Sequence, residues 1–239
     1  MAAWSDASAG DLRPRPADPV PDALSRWAAD LTGTERAARV SEVHWVHQVH
    51  GTGVVTVDGP AGGHPGAPPV VSVSDGPGDA LVSRAPEVAL AVLTADCASV
   101  ALGSDEGVFA AVHAGWRGLA AGVVREAVTA MRALGATGVV GALGPCIHAE
   151  CYEFSEGDLD RVGAAVGDGV RGRTTEGRPA LDVPAAVSAV LVSAGVTEVT
   201  GSPACTACGG TYFSHRRRRD TGRQALLVWS GAGGARTGP

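Results

Sequence analysis

The sequence predicts an α+β fold, with one domain in which mixed β-sheets pack against helices. Strand patterns outnumber helix patterns along the chain, and the two kinds follow one another in an irregular order rather than in regular alternation. No internal repeat is present. The chain has 239 residues, of which 45% are hydrophobic, and this is enough apolar material for one sizeable core.

Short apolar runs bounded by glycine, proline or polar residues predict the strands. The run at 88–93 is apolar throughout, which is typical of a strand buried on both faces. Residues 43–50 alternate in character, as expected where successive side chains lie on opposite faces of a strand. The other predicted strands are 54–57, 70–73, 100–102, 108–112, 139–143, 196–199 and 225–229, with a hairpin between the strands at 100–102 and 108–112.

Helical spacing of apolar residues predicts a short helix over 24–31 and a longer one whose apolar stripe runs over 119–134. Gly135 is a natural stop for the longer helix. These elements lie within a predicted domain of residues 23–231. We expect residues 1–22, rich in proline, aspartate and alanine, to form an extended arm, and 232–239 to form a flexible C-terminal tail.

Capping residues predict the starts of two further helices. Ser155 with Asp158 forms a capping box, in which the hydroxyl accepts from a backbone N–H of the first turn. Asp182 followed by Pro184 opens another helix, which runs to about Ala194.

The composition excludes several classes of function. All 19 basic residues are arginines, so a Schiff-base lysine, a phosphate-loop lysine and a Ser–Lys dyad are excluded. The net charge of −6 does not favour binding to nucleic acid or to an anionic membrane. The apolar runs are far shorter than a membrane span, and the N-terminal residues do not resemble a signal peptide. Five cysteines are too few for a disulfide framework, so we expect a cytoplasmic protein.

Three candidate metal ligands stand at the ends of predicted strands beside glycine-rich turns. They are His50, Cys97 and His113. Two imidazoles and one thiolate suit Zn²⁺ with one position left open, as in a catalytic zinc site. The residues alone leave alternatives open, because each could be an ordinary buried side chain, and Cys97 with His113 could form a nucleophile–base pair without metal.

Other patterns are less informative. His44 and His47 precede His50 at three-residue spacing, which on a strand places His47 on the opposite face from His44 and His50. At most His50 is therefore expected to be a ligand. Cys205-x-x-Cys208 has no second pair nearby, and we interpret it as two thiols in a loop.

The arginine run 216–219 is either a solvated strip or an anion clamp. Arg117 stands just before a predicted helix, where backbone N–H groups would help to hold an anion.

Several blocks of sequence together resemble the YfiH-like laccase-domain family, also known as peptidoglycan editing factor or polyphenol oxidase, and the resemblance covers roughly residues 43–230. The blocks are, in chain order, Gln48-Val49-His50-Gly51, Gly78-Asp79-Ala80-Leu81-Val82, Thr94-Ala95-Asp96-Cys97, His113-Ala114-Gly115-Trp116-Arg117-Gly118-Leu119, Gly144-Pro145-Cys146-Ile147 with Cys151-Tyr152-Glu153, and Cys205-Thr206 with Phe213-Ser214-His215-Arg216-Arg217 and Thr221-Gly222-Arg223-Gln224.

The resemblance implies an α+β fold shared with cysteine-hydrolase-like toxins and a zinc ion bound by His50, Cys97 and His113. It also implies purine nucleoside phosphorylase activity on adenosine, inosine and methylthioadenosine, with adenosine deamination as a further reaction. The small molecules expected as partners are therefore a nucleoside and phosphate. Copper chemistry is associated with some members, but the seven histidines of this chain are few for a multicopper cluster.

On this interpretation Cys97, His113 and Asp96 are the catalytic residues, and Asp96 or a neighbouring carboxylate shuttles the proton in deamination. Gln48, Arg117, Ser214 and Arg216 are expected to bind substrate, and Arg117 or Arg216 would hold the phosphate.

The chain also departs from the family pattern. The usual N-terminal Gly-Gly-Val-Ser block is replaced by a stretch with only a Gly10-Asp11-Leu12 remnant, and His148-Ala149-Glu150 stands where Gly-Pro-Cys is usual. Two alternatives therefore stay open. One is a metal-independent cysteine hydrolase or amidase acting on a peptidoglycan precursor, with Cys97 as nucleophile and His113 as base. The other is a catalytically weak paralogue that binds a nucleotide-like ligand or a protein partner.

Overall fold

The computed structural model describes residues 1–13, 22–32, 40–60 and 69–230. The strands are β1 (Ala2–Trp4), β2 (Glu42–His47), β3 (Val54–Val57), β4 (Val70–Pro77), β5 (Ala80–Ser83), β6 (Val88–Thr94), β7 (Ala98–Gly103), β8 (Phe109–Ala114), β9 (Val140–Leu143), β10 (Arg171–Arg173), β11 (Pro179–Leu181), β12 (Glu198–Gly201) and β13 (Gln224–Trp229). The helices are α1 (Asp22–Thr32), α2 (Trp116–Ala121), α3 (Val123–Ala133), α4 (Glu156–Val166), α5 (Val183–Ser193) and α6 (His215–Arg218).

Two mixed sheets form the centre of the molecule. One has five strands in the order β1-β13-β6-β2-β4, and the other has six in the order β12-β9-β7-β8-β5-β3. Each contains both parallel and antiparallel neighbours, and β10 pairs with β11 in a separate two-stranded ribbon. This arrangement confirms the predicted α+β class with mixed sheets.

The two sheets pack face to face, and helices cover their outer faces. Strand β6 is apolar throughout because both of its faces are buried, and alternate residues belong to different cores. Val88, Leu90 and Val92 face the layer between the sheets, whereas Ala89, Ala91 and Leu93 face the layer that contains α1. On the far side, α2, α3 and α5 pack on the six-stranded sheet, α4 packs against α2 and α5, and the four helices enclose the largest core.

The predicted helix starts at Ser155 and Asp182 are confirmed. The Ser155 hydroxyl accepts a hydrogen bond from the Asp158 N–H, and the Asp182 carboxylate accepts one from the Ala185 N–H. The hairpin between β7 and β8 is also present.

The helix predicted over 119–134 was wrong in one respect, because it is two helices. Gly122 has φ +104°, a left-handed conformation that ends α2 and begins α3. The apolar spacing continues across the break, so periodicity alone does not reveal it. The strand predicted at 196–199 lies two residues later, as β12.

The N-terminal residues are tied to the domain. Strand β1 pairs with β13, and Leu12 is fully buried in the core beside α1. Trp4 donates from its indole nitrogen to the Ser99 hydroxyl at 3.1 Å. A side chain at Gly144 would collide with this indole, since its Cβ would lie 1.9 Å from Trp4 Nε1. The rest of the predicted arm, 14–21, and the predicted tail, 232–239, lie outside the described residues.

Among the residues that the structure describes, no helix has the length and apolar character needed to cross a bilayer.

Candidate active site

The three predicted metal ligands come together at one edge of the two sheets. His50 lies in the turn after β2, Cys97 in the connection from β6 to β7, and His113 near the end of β8. Their donor atoms all lie within 4.8 Å of one another. The Cys97 Sγ is 3.8 Å from His50 Nε2, and the two imidazole rings meet edge to face with centroids 4.8 Å apart.

A buried carboxylate, that of Asp79, holds two of these ligands. It is fully buried just before β5, and its Oδ1 lies 2.7 Å from His113 Nδ1. The same carboxylate accepts hydrogen bonds from three successive backbone N–H groups, those of Val49, His50 and Gly51. Asp79 therefore orients the His113 ring, with Nε2 as its remaining donor atom, and fixes the turn that carries His50.

Backbone conformation at the site is unusual at two positions. His50 has φ +58° and Asp96, just before Cys97, has φ +90°. Residues other than glycine rarely adopt this left-handed region, and such outliers occur most often at functional sites. His50 is itself a candidate ligand, and Asp96 directly precedes another, Cys97.

Glycines in the block 113–118 make room for the His50 turn. A Cβ at Gly115 would lie 2.5 Å from His50 Cδ2, and one at Gly118 would lie 2.6 Å from the Gly51 carbonyl oxygen. These spacings are far inside van der Waals contact, so only glycine allows helix α2 to pack this close to the ligand.

The electrostatics of the trio favour a thiolate beside an imidazolium. Burial opposes ionisation of Cys97, but hydrogen bonds and charge interactions with His113 and His50 outweigh it and lower the pKa of this thiol to about 6. Burial likewise opposes protonation of His113, but Asp79 and the Cys97 thiolate raise its pKa to about 9. The thiolate is the form of cysteine that binds metals and attacks electrophiles.

These residues fit a metal ion of the zinc type. The set provides one thiolate and two imidazoles, and a carboxylate holds the second nitrogen of one imidazole, as is common behind metal-binding histidines. Three protein donors leave a tetrahedral ion one position for another ligand.

All three ligands line a single cleft of about 640 Å³. Arginines and aromatic side chains form much of its wall. The lining residues outside the trio are Arg13, Trp45, Val46, His47, Gln48, Leu93, Thr94, Ala95, Asp96, Trp116, Arg117, Tyr152, His215, Arg216 and Arg223.

The four arginines of the cleft differ in their partners. Arg13 forms an ion pair with Asp11 at 2.7 Å, and Arg223 donates to backbone carbonyls of residues 220–222. Arg117 lies over the Trp116 ring at 4.3 Å, and Arg216 over the Tyr152 ring at 4.7 Å. Neither Arg117 nor Arg216 has an ion pair with a carboxylate among the described residues, so both charges are available to an anion in the cleft.

Gln48 and Asp96 line the cleft but use their polar atoms within the protein. Gln48 exchanges two hydrogen bonds of 2.8 Å with the backbone of Leu93, and so continues the pairing of β2 with β6. Asp96 is buried, and its two oxygens accept from the Thr206 hydroxyl and from the Arg216 N–H. Asp96 thereby fixes the start of α6, which carries Arg216.

The structure places Ser214 differently from its predicted role. Its side chain is fully buried, does not line the cleft, and accepts from the Arg217 N–H as the N-cap of α6. Serine is a preferred N-cap residue, and this role of Ser214 was not predicted from the sequence.

Sequence reasoning also missed two kinds of residue that the site depends on. Asp79 was part of a noted block but received no role, although an aspartate directly before an apolar strand signals a carboxylate at a strand end. Tyr152 and Arg13 come from segments distant in sequence, and no local pattern assigns them to the cleft.

The residues 19–231 match the family model described as multi-copper polyphenol oxidoreductase laccase. The chain belongs to this family. A relative from Streptomyces griseus named purine nucleoside phosphorylase is 45% identical over 210 residues, which cover 84% of this chain and 82% of the relative.

Solved structures of this laccase-like family show the same fold. A Neisseria meningitidis protein of the DUF152 family is 28% identical, with a TM-score of 0.72, and covers 93% of this chain and 86% of its own. The hypothetical protein YfiH of Bacillus licheniformis shares the fold at 20% identity, with a TM-score of 0.73 over 96% of this chain and 92% of its own. These matches confirm the predicted family and fold.

The close approach of Gly115 to His50 leads to a prediction. In Gly115→Ala the added methyl displaces the His50 ring, so the affinity for zinc falls by about tenfold or more while the fold is retained. Competition with a chromogenic chelator measures the affinity, and circular dichroism checks the fold.

The matched control is Gly138→Ala, because no atom lies within 4 Å of a Cβ at that position. Equal zinc affinity in Gly115→Ala and Gly138→Ala would contradict this prediction, because the added methyl would then leave the metal site unchanged.

Proposed function

We propose that this protein is a zinc-dependent purine nucleoside phosphorylase. The observation that carries the proposal is the His50–Cys97–His113 donor set in a cleft that also presents two arginines without carboxylate partners among the described residues. The names of relatives that match most of the chain, such as the Streptomyces griseus phosphorylase, support this activity. We propose adenosine, inosine and methylthioadenosine as its nucleosides.

Arg117 and Arg216 are the proposed phosphate ligands. Both are exposed, line the cleft and stack on aromatic rings, and neither forms an ion pair with a carboxylate of the described residues. A guanidinium binds phosphate oxygens through paired, charge-assisted hydrogen bonds. The Asp96 carboxylate holds the Arg216 backbone N–H at 2.6 Å, and we therefore propose that Asp96 positions Arg216 rather than shuttling a proton.

The purine and ribose would lie against the aromatic part of the wall. Trp45, Trp116 and Tyr152 all line the cleft, and aromatic faces are well suited to a flat heterocycle. Gln48 and Ser214 have structural hydrogen bonds in place of the substrate contacts expected of them, so they support the site rather than contact substrate in this proposal.

Phosphorolysis requires that phosphate be bound and oriented beside C1′ of the ribose. An oxygen of hydrogen phosphate attacks C1′ of the ribose, the C1′–N9 bond breaks, and its electron pair leaves with the purine. The proton lost from hydrogen phosphate balances the proton that the purine gains. Arg117 and Arg216 would bind and orient the phosphate, which converts a bimolecular encounter into an oriented one. A zinc ion held by the trio would supply Lewis acidity beside the substrate.

Deamination of adenosine is the second reaction that we propose for the same cleft. It replaces the 6-amino group with oxygen from water and releases ammonia, so its product differs from that of phosphorolysis.

We propose that both reactions occur in the cytoplasm, because all five cysteines are free thiols and such thiols persist in a reducing compartment.

A metal-independent cysteine hydrolase is a second candidate, favoured by one observation. Cys97, His113 and Asp79 stand in the order nucleophile, base and orienting carboxylate, with the His113–Asp79 contact at 2.7 Å. This arrangement does not use His50, whereas the zinc site requires it.

The activity assay follows directly. We expect free base to be released from inosine, adenosine and methylthioadenosine only when phosphate is present, and chelation to stop release until zinc is added back. In His50→Ala, the zinc held at the His50–Cys97–His113 site and base release should fall together to background, because two ligands hold the ion poorly. With adenosine as the substrate, chromatography of the products separates the two reactions. Adenine is formed by phosphorolysis alone, whereas hypoxanthine requires deamination as well.

Full activity in metal-free His50→Ala protein would contradict the zinc proposal and favour the cysteine hydrolase. No release from any nucleoside by the zinc-loaded protein would leave only the binding paralogue or the hydrolase.

A second prediction concerns the phosphate ligand. Arg216→Ala should raise the KM for phosphate by about tenfold or more, because a charged hydrogen-bond partner is lost, and should change the KM for nucleoside much less. Steady-state kinetics with each substrate varied in turn measures both. Arg216→Lys should restore part of the loss, since it keeps the charge but not the paired donors.

Arg161→Ala is the matched control, because Arg161 is an exposed arginine on α4 that pairs with Asp158 and does not line the cleft. An unchanged KM for phosphate in Arg216→Ala would remove this residue from the proposed phosphate site.

A further inference from the structure

A second group of metal-type ligands lies outside the trio. The donor atoms of Glu150, Cys151, Cys205 and Cys208 all lie within 4.8 Å of one another. The Cys151 and Cys208 sulfurs are 3.5 Å apart, and the Cys208 Sγ lies 3.5 Å from Glu150 Oε1. None of these four residues belongs to the His50–Cys97–His113 site.

Two separate segments bring this cysteine cluster together. Glu150 and Cys151 lie in the 3-10 turn Ala149–Cys151, whereas Cys205 and Cys208 lie in the loop between β12 and α6. A short backbone bridge joins Cys146 to Cys205 and sets the two segments side by side. Sequence reasoning treated Cys205-x-x-Cys208 as two loop thiols because it found no nearby partner pair. The missing thiol, Cys151, comes 57 residues before Cys208.

The spacing of the sulfurs suits a tetrahedral ion rather than a disulfide. Zinc–sulfur bonds of about 2.3 Å place two sulfurs of a tetrahedron about 3.8 Å apart. The observed 3.5 Å between Cys151 and Cys208 is close to this value and far from a bonded S–S distance, and all five cysteines are free. Three thiols and a carboxylate supply the four donors that a closed, tetrahedral zinc site requires.

Neighbouring groups hold the ligands in place. The His148 N–H donates to the Cys205 Sγ at 3.4 Å, and His148 Nδ1 lies 3.7 Å from Glu150 Oε1. Such contacts around a metal site orient the residues that bind the ion. Cys208 is exposed, which gives an ion a route into the cluster.

We propose that Glu150, Cys151, Cys205 and Cys208 bind a second zinc ion, with a structural role. Its place in the fold indicates what it stabilises. Tyr152 directly follows Cys151, and Arg216 lies over the Tyr152 ring at 4.7 Å. Arg218 of α6 donates to the Gly209 carbonyl at 2.6 Å and so ties α6 to the cysteine loop. A zinc ion in the cluster would fix this loop and α6 against the segment that bears Tyr152, on one side of the cleft.

Zinc content of purified, zinc-loaded variants tests the proposal. We expect about two zinc ions per wild-type chain, about one in His50→Ala, about one in Cys208→Ser, and almost none in the double variant. Cys146→Ala is the matched control, because Cys146 is a buried thiol outside both groups, and it should keep both ions. Mass spectrometry of metals after desalting gives the counts.

Zinc-protected alkylation of the wild-type chain tests the proposal without a variant that could misfold. Cys151, Cys205 and Cys208 should react with iodoacetamide at least about tenfold faster after chelation than in the zinc-loaded protein. Peptide mapping identifies each modified thiol.

Three results would overturn the proposal. They are a wild-type chain whose zinc is lost entirely in His50→Ala, a Cys208→Ser chain that retains two zinc ions, and three thiols that react at the same rate with and without zinc. None of these readouts involves a nucleoside, so they stand or fall separately from the proposed phosphorylase activity.

Discussion

The contact between the buried Asp79 carboxylate and the two histidine segments is the interaction on which the rest of the site depends. Asp79 lies 2.7 Å from His113 Nδ1 and accepts from the N–H groups of residues 49–51. A buried carboxylate is costly unless it is fully hydrogen-bonded and faces positive charge, and both conditions are met here only when the His50 turn and His113 stand in their observed places. The same contacts that satisfy Asp79 therefore preorganise two of the three proposed metal ligands.

The fold explains why these groups can meet. The two sheets pack on each other, so the end of β6, the end of β8 and the turn after β2 come to one edge although they are far apart in sequence. Gly115 and Gly118 let α2 approach the His50 turn without a side chain between them. Helix α6 then closes one side of the cleft, held by Asp96 through the Arg216 N–H and, in our proposal, by a structural zinc ion behind it.

Much of this could be predicted from the sequence, because the deciding signals are local. The apolar runs mark strands, Ser155 and Asp182 mark helix starts, and the position of His50, Cys97 and His113 at strand ends points to a shared edge. What could not be predicted depends on contacts between distant segments. The cysteine cluster needs Cys151 beside a Cys-x-x-Cys loop, the role of Asp79 needs the turn at His50, and the break at Gly122 leaves the apolar spacing of the helices intact.

Zinc affinity of Asp79→Asn tests the central claim most directly. The asparagine amide keeps one acceptor but sets an N–H donor against the backbone N–H groups that Asp79 now satisfies, so the His50 turn and His113 lose their fixed orientation. We predict a zinc affinity at the His50–Cys97–His113 site about 10–100-fold lower than in the wild type, in a Cys208→Ser background that isolates this site, with Asp105→Asn as an exposed control. An affinity equal to that of the control would contradict the account, because the ligands would then be positioned without the buried carboxylate.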